Sequence, residues 1–139
     1  MTTVLFVCTG NTCRSPMAQC MFNAIAKERG RTDLRAISAG LYAANGEPAS
    51  LGAQHAMAAR GLSLSSHQSQ PLSERLVHDV SIIVGLTDRH ILGLQARYPM
   101  LRIQSFSPSI SDPYGMDDQC YQHAANEIEH QLRQLIDEL

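Results

Sequence analysis

The stretch "TTVLFVCTGNTCRSPMAQCMFNAIAKERG", residues 2–30, combines an apolar run, a polar turn and a helical pattern. Residues 2–8 are apolar and β-branched, which is typical of a strand buried on both faces. Residues 15–30 predict a helix, because Ser15 can cap its start and Gly30 can end it. A short turn rich in polar residues joins the two. The stretch therefore predicts a strand, a loop and a helix at the start of an α/β fold.

The rest of the chain continues this alternation of strands and helices. We predict strands in "LRAIS" (34–38), "VSIIVGL" (80–86) and "RIQSF" (102–106), and helices over 48–61, 71–77, 88–98 and 118–139. Strands that alternate with helices imply right-handed crossovers and a parallel sheet. We expect one α/β domain over residues 1–139, in three layers, with a four-stranded parallel sheet flanked by helices. The loop after the first strand then lies where such sheets bind ligands.

Composition excludes several classes of protein. With 139 residues, 44% hydrophobic and 17% charged, the chain is typical of a compact folded protein. A net charge of −2 argues against nucleic-acid binding. Because no run of about 18 apolar residues and no signal peptide is present, we expect a cytoplasmic protein without a membrane partner. Its four cysteines should then be reduced thiols, and their spacing and that of the six histidines predict no metal site and no cofactor.

The turn after the first strand has the residues of an anion site with a nucleophile. Successive backbone N–H groups and the helix N-terminus favour a bound anion, and Arg14 adds a planar fork of donors for phosphate oxygens. Cys8 lies at the mouth of this pocket, and the same charges should lower the pKa of its thiol and so activate it. Ser15 can donate a hydrogen bond to the sulfur. Cys-x5-Arg-Ser therefore predicts a phosphoryl-transfer loop, although a lone Cys-x5-Arg is more often a buried cysteine before an ordinary helix.

Hydrolysis of a phosphomonoester also needs an acid for the leaving atom and a base for water. Asp112 is the candidate for both roles, in "SPSISDPYGMDD", where the following proline favours an extended loop. Taken alone, an Asp-Pro pair is a common turn former.

Together these motifs resemble the low-molecular-weight protein tyrosine phosphatases over essentially the whole chain. "VCTGNTCRSP" (7–16) resembles the family's phosphate-binding loop, "ISAG" (37–40) its second strand and "DPYG" (112–115) its acid loop. The resemblance implies that Cys8 is the nucleophile, that Arg14 binds phosphate, and that Asp112 is general acid and then base.

The resemblance also assigns the residues that support the site. Asn11 matches an asparagine that holds the loop in a left-handed conformation, with Ser15, Ser38 and His67 as its polar partners. Tyr42 and Tyr114 match the walls of the substrate pocket. The implied phosphate-binding loop consists of Thr9, Gly10, Asn11, Thr12, Cys13, Arg14 and Ser15.

Two departures from the tyrosine phosphatases favour the bacterial protein arginine phosphatase branch. Thr12 stands where the tyrosine enzymes usually have Ile, and Gly115 stands where they often have a second aromatic residue. A threonine hydroxyl can hydrogen-bond near the guanidinium of phosphoarginine or position the attacking water, whereas isoleucine cannot. We therefore favour phosphoarginine as the substrate group, with phosphotyrosine as the alternative.

The resemblance implies phosphorylated protein substrates, inhibition by phosphate-like oxyanions and a monomer. A thiol-redox arsenate reductase uses a similar loop, but it needs further cysteines, and none occurs between Cys20 and Cys120. A module that merely binds phosphate would not need Arg14 and Asp112 together.

A second thiol in the loop suggests redox control. The lowered pKa expected for Cys8 makes it the site of peroxide attack, and Cys13, five residues away, could then form a reversible disulfide with it. The alternative is that Cys13 only packs beneath the loop.

Overall fold

The computed structural model describes residues 1–139, and it confirms the predicted fold class. Four parallel strands form one sheet in the order β2-β1-β3-β4. They are β1 Thr2–Cys8, β2 Leu34–Gly40, β3 Ile82–Gly85 and β4 Arg102–Ser105. The helices are α1 Arg14–Glu28, α2 Leu51–Ala58, α3 Glu74–Val77, α4 Leu94–Arg97 and α5 Asp118–Glu138, with a 3₁₀ turn at Asp88–Ile91.

The alternation of side chains along β1 builds two cores of unequal size. Val4 and Phe6 belong to a cluster of 29 buried residues that includes α1, α2 and α5, and this face is therefore the main core. Leu5 and Val7 face a cluster of only seven buried residues, which includes Val77 of α3 and other side chains from α4 and the sheet. Because β1 is buried on both faces, it is apolar at every position from Val4 to Val7.

The strand order places the end of β1 at a change of direction in the chain path. From β1 the chain passes to β2 on one side and later to β3 on the other. Such a position leaves a crevice beyond the carboxyl ends of the strands. Cys8 is the last residue of β1, so the crevice opens beside it. None of the helices is long and apolar enough to cross a membrane.

Apart from shifts of up to three residues in the ends of elements, local structure differs from the sequence prediction in two places. Ser15 does not cap α1: the helix begins at Arg14 with Cys13 in the cap position, and no side chain caps it. The prediction of a single helix over 88–98 is also wrong, because Gly93 has φ +83° and separates the 3₁₀ turn from α4. A left-handed residue ends the helical hydrogen-bond ladder, and glycine adopts that conformation readily.

Candidate functional site

Asn11 organises the loop between β1 and α1. It is fully buried and has φ +58°, a conformation that asparagine tolerates better than most residues. Its Nδ2 donates to Ser15 Oγ at 2.9 Å and to Ser38 Oγ at 3.0 Å, and its Oδ1 accepts from the backbone N–H of Gln70 at 3.0 Å. His67 Nε2 donates to the backbone carbonyl oxygen of Asn11 at 2.7 Å. These bonds fix the loop to α1, to β2 and to the segment before α3.

The end of β2 closes on the same loop. A Cβ atom at Gly40 would lie 2.5 Å from the carbonyl oxygen of Thr9 and 3.0 Å from the backbone nitrogen of Asn11. The next two residues, Leu41 and Tyr42, donate backbone N–H groups to the carbonyls of Cys8 at 2.9 Å and Thr9 at 3.0 Å. The absence of a side chain at Gly40 therefore allows the loop to pack directly against β2.

The sulfur of Cys8 lies within hydrogen-bond distance of a hydroxyl. Cys8 Sγ lies 2.7 Å from Ser15 Oγ, and both side chains are buried. Because Ser15 Oγ already accepts a hydrogen bond from Asn11, its own hydrogen is free to point at the sulfur. The Ser15 hydroxyl is thus placed to stabilise a thiolate at Cys8.

Burial raises the pKa of the Cys8 thiol above its ordinary value, which differs from the lowered pKa that the sequence analysis expected. Loss of hydration is the largest cause, because it penalises the charged form. The Ser15 hydroxyl, the backbone N–H groups of Ser15 and Asn11, and the charge of Arg14 all act in the opposite direction. The loop therefore offsets part of the burial penalty at Cys8.

Arg14 joins the loop to the segment that carries Asp112. The side chain of Arg14 is only 7% exposed, and its Nη2 lies 3.5 Å from Asp112 Oδ2. Its Nη1 donates to the carbonyl oxygen of Ile110 at 3.2 Å. Asp112 Oδ1 accepts from the backbone N–H of Tyr114 at 3.1 Å, while its side chain stays 57% exposed. The guanidinium thus holds the segment that carries Ile110 and Asp112 against the loop after β1.

One cavity of about 350 Å³ brings most of the predicted site residues together. Tyr42 and Tyr114 form its exposed rim, and Glu47 is a lining residue that the sequence analysis did not identify. Asn11, Ser15, Ser38 and His67 do not line the cavity and instead form the support described above. The lining residues are Cys8, Thr9, Gly10, Thr12, Cys13, Arg14, Tyr42, Ala43, Ala44, Glu47, Asp112 and Tyr114.

Cys13 is buried at the base of the loop. Its sulfur lies 3.3 Å from Ser50 Oγ and 3.3 Å from the hydroxyl of Tyr121, so it contacts α5 and the start of α2. Together with burial, this contact raises the pKa of Tyr121 to about 12. All four cysteines are free thiols in the structure, and no group of three or more His, Cys, Asp or Glu side chains is placed to hold a metal ion.

His90 is a polar residue near the site that the sequence analysis did not identify. Its Nε2 lies 3.1 Å from Thr9 Oγ1, and its Nδ1 accepts from the backbone N–H of Thr87 at 3.2 Å. A backbone N–H can only donate, so the neutral ring carries its hydrogen on Nε2 and donates it to Thr9. Burial lowers the pKa of His90 from 6.5 to about 4, with further lowering by Arg14 and Arg89, opposed by Asp112. His90 is therefore neutral at physiological pH.

We expect the imidazole of His90 to titrate near pH 4 in an NMR pH titration. Between pH 6.5 and 4 the unfolded chain binds a proton at this position and the folded chain does not. The free energy of unfolding therefore falls as the pH is lowered through this window, by up to about 1.4 kcal/mol per pH unit from this group. His90→Gln should remove this part of the pH dependence. A His90 resonance that titrates near 6.5 would contradict the assignment.

Comparison with known proteins places the chain among phosphatases. The family model described as low molecular weight phosphotyrosine protein phosphatase matches residues 3–139. A protein-arginine-phosphatase of Bacillus subtilis (strain 168) is 32% identical, and the alignment covers 98% of this chain and 95% of that protein.

Two solved structures are similar over nearly their whole length. A low molecular weight protein tyrosine phosphatase from T. tengcongensis is 35% identical with a TM-score of 0.93, and 100% of both chains is covered. A mutant of the YwlE arginine phosphatase with a phosphorylated active-site serine is 29% identical with a TM-score of 0.92, covering 99% of this chain and 95% of that one. The resemblance inferred from the sequence motifs is thus confirmed, and the chain belongs to the low molecular weight phosphotyrosine protein phosphatase family.

Proposed function

We propose that this member of the family hydrolyses phosphorylated protein side chains through a phosphocysteine at Cys8, with phosphoarginine as the favoured substrate group. One observation carries the proposal: Cys8, Arg14 and Asp112 line the same cavity. A nucleophile, a cation for phosphoryl oxygens and a carboxyl group are the three parts that this chemistry requires.

In the first step the Cys8 thiol releases its proton to water, and the resulting thiolate attacks phosphorus. An S–P bond forms, and the bond from phosphorus to the substrate oxygen or nitrogen breaks. Asp112 gives its proton to the leaving atom. Arg14 binds the phosphoryl oxygens, for which its planar fork is suited. Because Arg14 pairs with Asp112 at 3.5 Å, phosphoryl oxygens that bind Arg14 compete with this pair.

In the second step Asp112 takes a proton from water as the water attacks phosphorus. The S–P bond then breaks and the thiolate of Cys8 leaves. The Ser15 hydroxyl, 2.7 Å from the sulfur, stabilises the charge that returns to it. Because burial raises the pKa of Cys8, this hydrogen bond contributes in both steps.

Two lining residues support phosphoarginine as the substrate group. Thr12 lines the cavity, and its hydroxyl oxygen can accept a hydrogen bond from a guanidinium N–H. Glu47 is exposed, and its carboxylate has no hydrogen-bond or ion-pair partner in the protein; it therefore favours a cationic substrate group over a neutral ring. The named arginine phosphatase of Bacillus subtilis is consistent with this preference.

Phosphotyrosine is the second candidate, and the rim of the cavity favours it. Tyr42 is 85% exposed and Tyr114 is 73% exposed, so both rings are available to pack against an aromatic substrate. The tyrosine phosphatase from T. tengcongensis has the same fold over its whole chain.

Cys13 supplies a further proposal, that it forms a reversible disulfide with an oxidised Cys8. Both cysteines line the cavity, so peroxide that reaches one has access to the other. Because the Cys13 sulfur also contacts Ser50 and Tyr121, the disulfide requires it to leave these partners. Peptide mapping after mild peroxide should find a Cys8–Cys13 link that a dithiol reverses. Sulfinic acid on Cys8 with an unmodified Cys13 would contradict it.

Asp112→Asn should slow the hydrolysis of esters with poor leaving groups by about 100- to 10,000-fold, because these depend on a proton donor. Aryl phosphates with good leaving groups need less protonation and should be affected much less. The measurement is kcat/KM across a series of aryl phosphates of graded leaving-group pKa. Asp118→Asn serves as the control, since Asp118 pairs with His55 outside the cavity. An equal loss for all leaving groups would contradict the role of Asp112.

Thr12→Ile should shift preference from phosphoarginine towards phosphotyrosine. Loss of the hydroxyl leaves a substrate N–H unpaired, which costs about 1–3 kcal/mol and should lower kcat/KM for phosphoarginine by roughly 5- to 150-fold. The larger side chain packs better on the ring of phosphotyrosine.

Glu47→Gln should reduce kcat/KM for phosphoarginine by about 1.4- to 5-fold, as expected for an exposed ion pair. The readout is the ratio of kcat/KM for matched phosphoarginine and phosphotyrosine peptides.

Glu138→Gln, the same change of charge at the end of α5, should leave that ratio unchanged. A wild-type ratio that favours phosphotyrosine and is unaffected by Thr12→Ile would overturn the preference for phosphoarginine and leave the second candidate.

A further inference from the structure

A second cavity, of about 580 Å³, adjoins the catalytic one. The two cavities share Thr9, Arg14, Tyr42 and Asp112, so they are neighbours with a common wall. The residues that belong to the second cavity alone come mainly from the 3₁₀ turn and its flanks, and Arg89 is among them.

The turn fixes the direction of Arg89. His90 is buried and is held by hydrogen bonds to Thr9 and Thr87. In a 3₁₀ turn neighbouring side chains point about 120° apart, since there are about three residues per turn. Anchoring His90 inwards therefore directs Arg89 away from the core, where it is exposed and lines the cavity. The 3₁₀ turn thus presents a guanidinium beside the catalytic pocket.

The charges around this cavity leave Arg89 without a partner. Arg14 and Asp112 pair with each other at 3.5 Å. His90 is neutral at physiological pH, as shown above. Arg89 makes no hydrogen bond or ion pair through its side chain, whereas Arg97, in the following helix, is paired with Glu74. The second cavity therefore carries one uncompensated positive charge, next to the position of the reacting group.

We propose that this second cavity is a subsite for an acidic side chain that flanks the phosphorylated residue of a protein substrate. The proposal rests on the proposed function, because it concerns the same substrate. Arg89 binds the carboxylate, and the shared wall of the two cavities limits the acidic residue to positions close to the phosphorylated one. An extended peptide advances about 3.3 Å per residue, which brings the nearest neighbours into reach.

The experiment uses short peptides with one central phosphotyrosine or phosphoarginine, flanked by Asn on both sides. In matched peptides Asp replaces Asn on the N-terminal or the C-terminal side. We expect wild-type kcat/KM to be about 1.4- to 5-fold higher for the acidic peptide on one side, as for an exposed ion pair. Because salt screens such pairs, about 0.5 M KCl should bring the ratio towards one. Arg89→Gln should do the same at low salt.

Arg35→Gln is the matched control. Arg35 is exposed near the start of β2, at the opposite end of the sheet from the loop, and its loss changes the net charge equally. The acidic preference should survive in this variant. Equal kcat/KM for acidic and neutral peptides, or a preference that Arg89→Gln leaves intact, would overturn the subsite alone. Failure to dephosphorylate any of the peptides would overturn the proposed function and the subsite with it.

Discussion

The buried amide of Asn11 is the interaction on which the rest of the site depends. The Asn11 side chain donates to two hydroxyls and accepts from one backbone N–H, and the backbone carbonyl oxygen of Asn11 accepts from His67. These partners come from three separate parts of the chain, so the loop is fixed only when α1, β2 and the segment before α3 have all assembled. Leaving such buried groups unpaired costs about 1–3 kcal/mol each, which holds Asn11 in its left-handed conformation.

This constraint sets the electrostatics of Cys8. The same loop conformation that buries the thiol also directs the Ser15 hydroxyl and the backbone N–H groups of Asn11 and Ser15 at its sulfur. Burial disfavours the thiolate and the donors favour it. The site therefore shields the Cys8 sulfur from water while keeping the hydrogen bonds that a charged sulfur needs. Arg14 extends the arrangement to Asp112, because its guanidinium links that carboxylate to the loop after β1.

Most of the fold could be predicted from the sequence because its signals are local. The apolar run of β1 and the length of α5 are local patterns, and the structure has both elements where they were expected. The prediction of one continuous helix over 88–98 is wrong because apolar spacing does not reveal that Gly93 adopts a positive φ. Ser15 was assigned to a helix cap, but tertiary contacts with Cys8 and Asn11 outweigh that preference.

The sequence predicts those residues of the site that belong to a recognisable motif. Cys8, Arg14 and Asp112 stand in recognisable patterns, whereas Glu47, Arg89 and His90 do not. His90 and Thr9 form a hydrogen bond although they are 81 positions apart in the sequence, and no short-range pattern predicts such a contact. The direction of the pKa shift at Cys8 could not be predicted from the sequence either, because it depends on how deeply the end of β1 is buried.

Trapping a covalent phosphoenzyme is the most direct test of the proposed mechanism. The protein would be mixed with an aryl phosphate, quenched within milliseconds and digested, and the peptides mapped by mass spectrometry for bound phosphate. We predict phosphate on the sulfur of Cys8 during turnover, and its loss as substrate is exhausted. Phosphate on another residue, or full turnover by Cys8→Ala with no phosphorylated peptide, would contradict it.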